Sequence, residues 1–200
     1  MRVGPTLDKI LADYPTDVRV VYKMHPLPMH PNARIAAQAA VAAQAQGKFL
    51  EMHHKLYESS SALSRDKVLE IAKGLGLDME RFAKGMESEA VNSRIDRESK
   101  EAMDIGASGT PAAFVNGRYV SGAKPLEFYK GMVDEELKWA KEKNRPAFTV
   151  GKNVRDAMPP QAAAQAGPDA NKVYDLPIGK APVAGAENAR VTILHYMDYQ

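Results

Sequence analysis

The sequence predicts an α/β fold in which a small mixed sheet carries a large helical insert, and three observations lead there. "VRVVYKM" and "ARVTILHYMD" are rich in β-branched and apolar residues at strand length. Everything from Asn32 to Ile105 reads as helix. "AAFVNGRYVS" places Asn116-Gly117, a strong two-residue hairpin signal, between two short apolar runs.

The elements follow in order. In "PTLDKILADY" Pro5 suits a first helical turn, and Leu7, Ile10 and Leu11 form an apolar stripe, so a helix begins close to Met1. A strand follows over Val18 to Met24. "HPLPMHPN" is then a loop, because prolines cannot continue a ladder. The Ala-rich "NARIAAQAAVAAQAQ" is a helix stopped by Gly47, and "KFLEMHHKLYES" is the next. Ser64 and Asp78 are N-caps for "RDKVLEIAKGLG" and "MERFAKGMES", and "EAVNSRIDRESKEAMDI" closes the insert. After the hairpin strands Ala112 to Val115 and Arg118 to Ser121, "LEFYKGMVDEELKWAKEK" is amphipathic through Leu126, Tyr129, Val133 and Leu137. From 145 to 171 the chain is rich in Ala, Pro, Gly and Gln and reads as a linker. Beyond it "KVYDLPIG" is expected as a short edge strand ended by Pro177, and the strand Val191 to Met197 as mostly buried.

Composition narrows the function. The 200 residues carry a net charge of +2 with no basic run, which gives nucleic-acid binding no support. No apolar stretch reaches the roughly 20 residues of a membrane span, and the N-terminus lacks the layout of a signal peptide. The chain has no cysteine, so thiolate metal sites, disulfides and thiol nucleophiles are absent from it.

The pairing of "TLDKILADYPTDVRVVYKMHPLPMHPNARIAAQAA" with "GTPAAFVNGRYVSGA" resembles the DsbA-like thiol-disulfide oxidoreductases, a thioredoxin-like family with a helical insert. "IGKAPVAGAENARVTILHYMDYQ" resembles that family's beginning, where a "DYQ"-like turn leads directly into the C-x-x-C active site. The resemblance implies a thioredoxin-like sheet whose central strand is supplied by the C-terminal segment, with the chain cut or circularly permuted at the missing motif. Residues 1–144 are then the body, 145–171 a flexible linker, and 172–200 the strands that complete the sheet. Completion within one chain or by domain swapping between copies are both open.

The family likeness also implies the site. The motif belongs between Gln200 and Met1, so no catalytic residue is present, and Asp198, Tyr199, Gln200 and Met1 flank the gap. Gly109, Thr110 and Pro111 resemble the family's cis-proline loop, which offers backbone groups to extended polypeptide substrates. The family's habit implies a bacterial periplasm or cell envelope and a redox partner protein, with no cofactor and no metal.

The remaining candidates read as structural. His25 and His30 flank the proline loop, and His53 and His54 are adjacent on a helix and diverge, so surface or capping roles are expected rather than metal binding. His195 is expected as a satisfied core or active-site-flanking histidine rather than a ligand. Met79, Phe82 and Met86 have core spacing. Two function classes result: the body of a disulfide oxidoreductase, or a redox-inactive thioredoxin-like module that binds extended peptides by backbone pairing.

Overall fold

Hydrophobic periodicity becomes secondary structure close to where the sequence places it. The computed structural model describes residues 3–142 and 167–200. Among these, the order is α1 (Gly4–Asp13), β1 (Val18–Met24), α2 (Ala33–Gln44), α3 (Phe49–Glu58), a 3-10 turn (Ser60–Ala62), α4 (Arg65–Gly74), α5 (Met79–Glu87), α6 (Glu89–Asp104), β2 (Ala112–Val115), β3 (Arg118–Ser121), α7 (Leu126–Glu142), β4 (Val183–Gly185) and β5 (Val191–Met197). Met1 and most of the expected linker lie outside the described residues.

The sheet order is β3-β2-β5-β1-β4, with β5 between β1 and β2. β5 is antiparallel to β2, with Ala112 opposite Tyr196 and Val115 opposite Ile193. It runs parallel to β1: Val191 N–H bonds Asp17 O at one end and His25 N–H bonds Met197 O at the other, both at 2.9 Å. All seven β5 residues are buried, which explains the near-continuous apolar run in its sequence.

One sequence expectation fails in this region. "KVYDLPIG" forms no strand and contributes a single bridge, Val173 to Arg118, whereas the edge strand is β4, pairing Val21 with Val183 and Arg19 with Gly185. Pro177 removes a ladder donor from the first stretch. The second carries Gly185 at φ +99°, where an added Cβ would meet Val18 O at 2.5 Å, so the close strand approach there requires glycine.

The chain divides into two compact units. The sheet unit comprises the described residues of 1–23 and 105–196. In it the hairpin turn has φ +46° at Asn116 and +84° at Gly117, the left-handed pair that a two-residue turn of this kind needs. Asn116 bonds Thr192 twice, N–H to its carbonyl at 2.9 Å and Oδ1 from its N–H at 2.8 Å, so this side chain extends the β2–β5 ladder. Its Nδ2 donates to buried Glu136 of α7 at 3.2 Å, and Arg118 Nη1 also reaches Glu136, at 3.1 Å. α7 is tied to α1 through Tyr14 Oη donating to Asp134 at 2.8 Å and the Lys130–Asp13 pair at 3.2 Å.

His195 departs from expectation. It is buried in β5 at 1% exposure, edge-on to Tyr22 with ring centroids 6.3 Å apart, yet both ring nitrogens lack a hydrogen-bond partner. It is a core histidine, but not a satisfied one. Burial pushes its pKa down to about 4.

The helical unit comprises residues 24–104 together with 197–200. α2 buries six alanines and Val41 among its twelve residues before Ala43 completes the face, so neighbouring helices can approach closely. A Cβ at Gly85 of α5 would lie 3.3 Å from the Ala42 Cβ. Phe82 and Met86 of α5 are buried as their spacing requires, while Met79 is half-buried. Ser64 and Asp78 cap α4 and α5, accepting from Lys67 N–H at 3.1 Å and Arg81 N–H at 3.0 Å.

Candidate functional site

The segment Met197–Gln200 is fixed by the proline-rich loop. Prolines at 26, 28 and 31 leave that loop few backbone donors, and each must find an acceptor. Leu27 N–H donates to Asp198 Oδ2 at 2.7 Å, and Asn32 N–H donates to Gln200 Oε1 at 2.7 Å. His30 N–H closes a turn onto Leu27 O at 3.0 Å. The His30 ring also contacts Asp198, Nδ1 to Oδ2 at 2.9 Å, and Asp198 Oδ1 accepts from Gln200 N–H at 3.1 Å. The Asp198 side chain is fully buried, with three hydrogen bonds converging on its two oxygens.

Tyr199 packs against residues of α3. Its ring is buried at 1% exposure against Tyr57, with centroids 4.9 Å apart, and its hydroxyl lies 3.2 Å from His53 Nδ1. Beneath the loop, Met24 N–H donates to Glu98 Oε2 at 2.7 Å. Arg94 Nε donates to Glu98 Oε1 at 2.8 Å and Arg94 Nη1 to Gln44 Oε1 at 2.6 Å. This buried ion pair anchors the start of the loop to α6 and α2.

Two histidine expectations need correction. His25 is buried at 3% exposure with Nδ1 3.2 Å from Ser99 Oγ, and His53 is buried at 1%, so neither is a surface residue. His54 is exposed, which agrees with adjacent helix residues diverging. The pairing of His30 with Asp198 was invisible to sequence reasoning, since 168 positions separate them and no local pattern links the two. Among the described residues, no group of three or more acidic or histidine side chains could hold a metal ion.

Gly109, Thr110 and Pro111 belong to the sheet unit, in the loop between α6 and β2. Gly106 takes φ +82° and its carbonyl accepts from Ser108 N–H at 2.9 Å, which turns the chain out of α6. Ser108 and Gly109 are exposed, and Thr110 and Pro111 half-buried. The Thr110–Pro111 peptide bond is cis. Pro111 O accepts from Gly122 N–H at 3.1 Å, which fixes the loop's end to the residue just past β3. Among the described residues, the backbone groups of Gly109 and Thr110 make no bond to other backbone groups.

Comparison with known proteins places this arrangement. The chain is 38% identical over 116 residues to a Na(+)/H(+) antiporter NhaA of Herminiimonas arsenicoxydans, an alignment covering 58% of the chain and 18% of that protein. It is 39% identical over 124 residues to Na(+)/H(+) antiporter NhaA 3 of Salinispora tropica, covering 62% of the chain and 19% of that protein. The chain thus spans about a fifth of the length of the curated relatives it matches. A thioredoxin-like oxidoreductase structure from Silicibacter pomeroyi DSS-3 shares the fold at a TM-score of 0.51 and 24% identity, covering 62% of this chain and 88% of that one. The profile of the DSBA-like thioredoxin domain matches residues 8–134, more than half of the chain, and with the five-stranded sheet and its helical insert this settles the family: the protein belongs to the DSBA-like thioredoxin domain family.

Proposed function

We propose that the chain is the polypeptide-handling body of a DsbA-like thiol-disulfide oxidoreductase. The observation that carries this reading is the Gly109–Pro111 loop beside β2, exposed at Gly109, where the backbone groups of Gly109 and Thr110 make no bond to other backbone groups among the described residues. An extended polypeptide can add its own backbone to such groups and gain affinity without a particular side-chain sequence. In this reading 1–144 is the body, 145–171 a tether, and 172–200 the segment that completes the sheet.

Disulfide exchange requires a thiolate, and the chain holds no cysteine. The thiols therefore come from the polypeptide substrate, from a redox partner protein, or from residues joined to Gln200 or Met1. The same absence favours a second reading, a peptide-binding module without redox chemistry of its own. The family's habit and the similarity to Na(+)/H(+) antiporters favour work at the cell envelope. No helix among the described residues is long and apolar enough to cross a membrane.

The test is binding of a fluorescein-labelled, unstructured cysteine-containing peptide, read by anisotropy, with Gly109→Pro against Gly109→Ala. A Cβ at 109 meets nothing within 4 Å, so the alanine variant keeps the loop intact. The proline variant lacks the N–H, and losing one backbone bond of about 1 kcal/mol weakens Kd about fivefold. Equal affinity for both variants would remove this loop from the binding site.

A further inference from the structure

We infer that Asp198 and His30 form an acid–base dyad that accepts the proton of a thiol presented at the Met197–Gln200 segment. His30 Nε2 is the acceptor and Asp198 the positioning residue. The inference deepens the thiol-disulfide reading above and rests on it.

The geometry specifies the roles. A carboxylate only accepts hydrogen bonds, so the 2.9 Å contact between Asp198 Oδ2 and His30 Nδ1 puts the imidazole proton on Nδ1. In the neutral ring the lone pair is then on Nε2, which has no hydrogen-bond partner among the described residues. The ring is held from two sides. Its backbone sits in the Leu27–His30 turn next to Pro31, and its Nδ1 sits on a carboxylate that Leu27 N–H and Gln200 N–H already orient. The Asp198 side chain is 0% exposed and the His30 side chain 31% exposed, so the pair runs from the interior to solvent. His195 and His53 lack that path, the first sealed in the sheet and the second packed on Tyr199. A histidine oriented by a buried carboxylate through Nδ1 is the arrangement that activates hydroxyl and thiol nucleophiles in other enzymes.

The step balances without a net oxidant. The thiol S–H proton moves to Nε2 and the thiolate attacks one sulfur of a substrate disulfide. A new S–S bond forms as the old one breaks, and the departing thiolate takes the proton back from the imidazolium. The attacking thiol and the disulfide both come from outside these 200 residues, which contain no cysteine.

The test places a thiol on the segment with Gln200→Cys and follows its alkylation by iodoacetamide from pH 5.5 to 8.5, alone and combined with His30→Gln or Asp198→Asn. The expected result is alkylation at pH 6.5 roughly tenfold faster in the single variant than with His30→Gln, equivalent to one unit in the thiol's apparent pKa. Superimposable pH profiles would overturn the dyad. The unsubstituted chain provides a second reading, independent of how Gln200→Cys folds. Its long-range imidazole 15N spectrum should show His30 protonated at Nδ1 with a lone-pair shift at Nε2, lost in Asp198→Asn; protonation at Nε2 would equally overturn the proposal. Neither measurement involves peptide binding, so failure of the dyad and failure of the Gly109–Pro111 reading are separately visible.

Discussion

Replacing His195 by leucine should make the protein more resistant to acid. The wild-type ring is wholly buried with both nitrogens unpartnered, and its pKa is held near 4 against 6.5 when exposed, by desolvation. Between those values the unfolded chain binds a proton that the folded chain refuses, so stability falls as pH drops from 6.5 toward 4 and is fully present above 6.5. At pH 4.5 a ring held near 4 against 6.5 when exposed costs roughly 2 kcal/mol of stability relative to pH 7. His195→Leu removes this contribution and leaves those of the carboxylates, which both proteins share. Urea unfolding of each at pH 7.0 and 4.5 reads the difference. The wild type should lose roughly 2 kcal/mol more than the variant over that interval. At pH 7 the variant should be equal or more stable, because it no longer buries two unsatisfied nitrogens. If both proteins lose the same stability, the ring is either hydrated or already partnered, and the argument from burial is wrong.

Two further substitutions probe the scaffold. Glu98→Gln leaves Arg94 buried without its counter-charge and weakens the bond from Met24 N–H, so thermal or urea unfolding should show a loss of about 3 kcal/mol; a change under 1 kcal/mol would mean water replaces the carboxylate. Gly117→Ala forces a Cβ into Tyr174 O and onto a φ of +84°, and should cost at least about 2 kcal/mol by the same measurement, whereas Gly109→Ala in an open loop should be neutral.

Some of this was legible because it depends on near neighbours in sequence. β1, the hairpin strands and β5 lie where branching and apolar runs place them, and the Ser64 and Asp78 caps follow from residues three apart. The hairpin turn follows from Asn116-Gly117 alone, since that pair tolerates positive φ. The edge strand was misplaced because "KVYDLPIG" has better strand composition than "VAG"; a partner strand, and a glycine where Val18 and Leu11 come close, decide that β4 forms at Val183–Gly185.

Local chemistry in the sequence therefore determined the elements, their order and the absence of thiols, because propensity, capping and composition act over a few residues. Only the tertiary structure decided which polar groups are buried together. Proline spacing predicts that the 25–32 loop has donors to satisfy, but not that Asp198 and Gln200 satisfy them. A histidine's composition does not say whether it will be sealed like His195, packed like His53, or carried on a buried carboxylate like His30. Those outcomes depend on contacts between residues 146 or more positions apart, which no sequence period encodes.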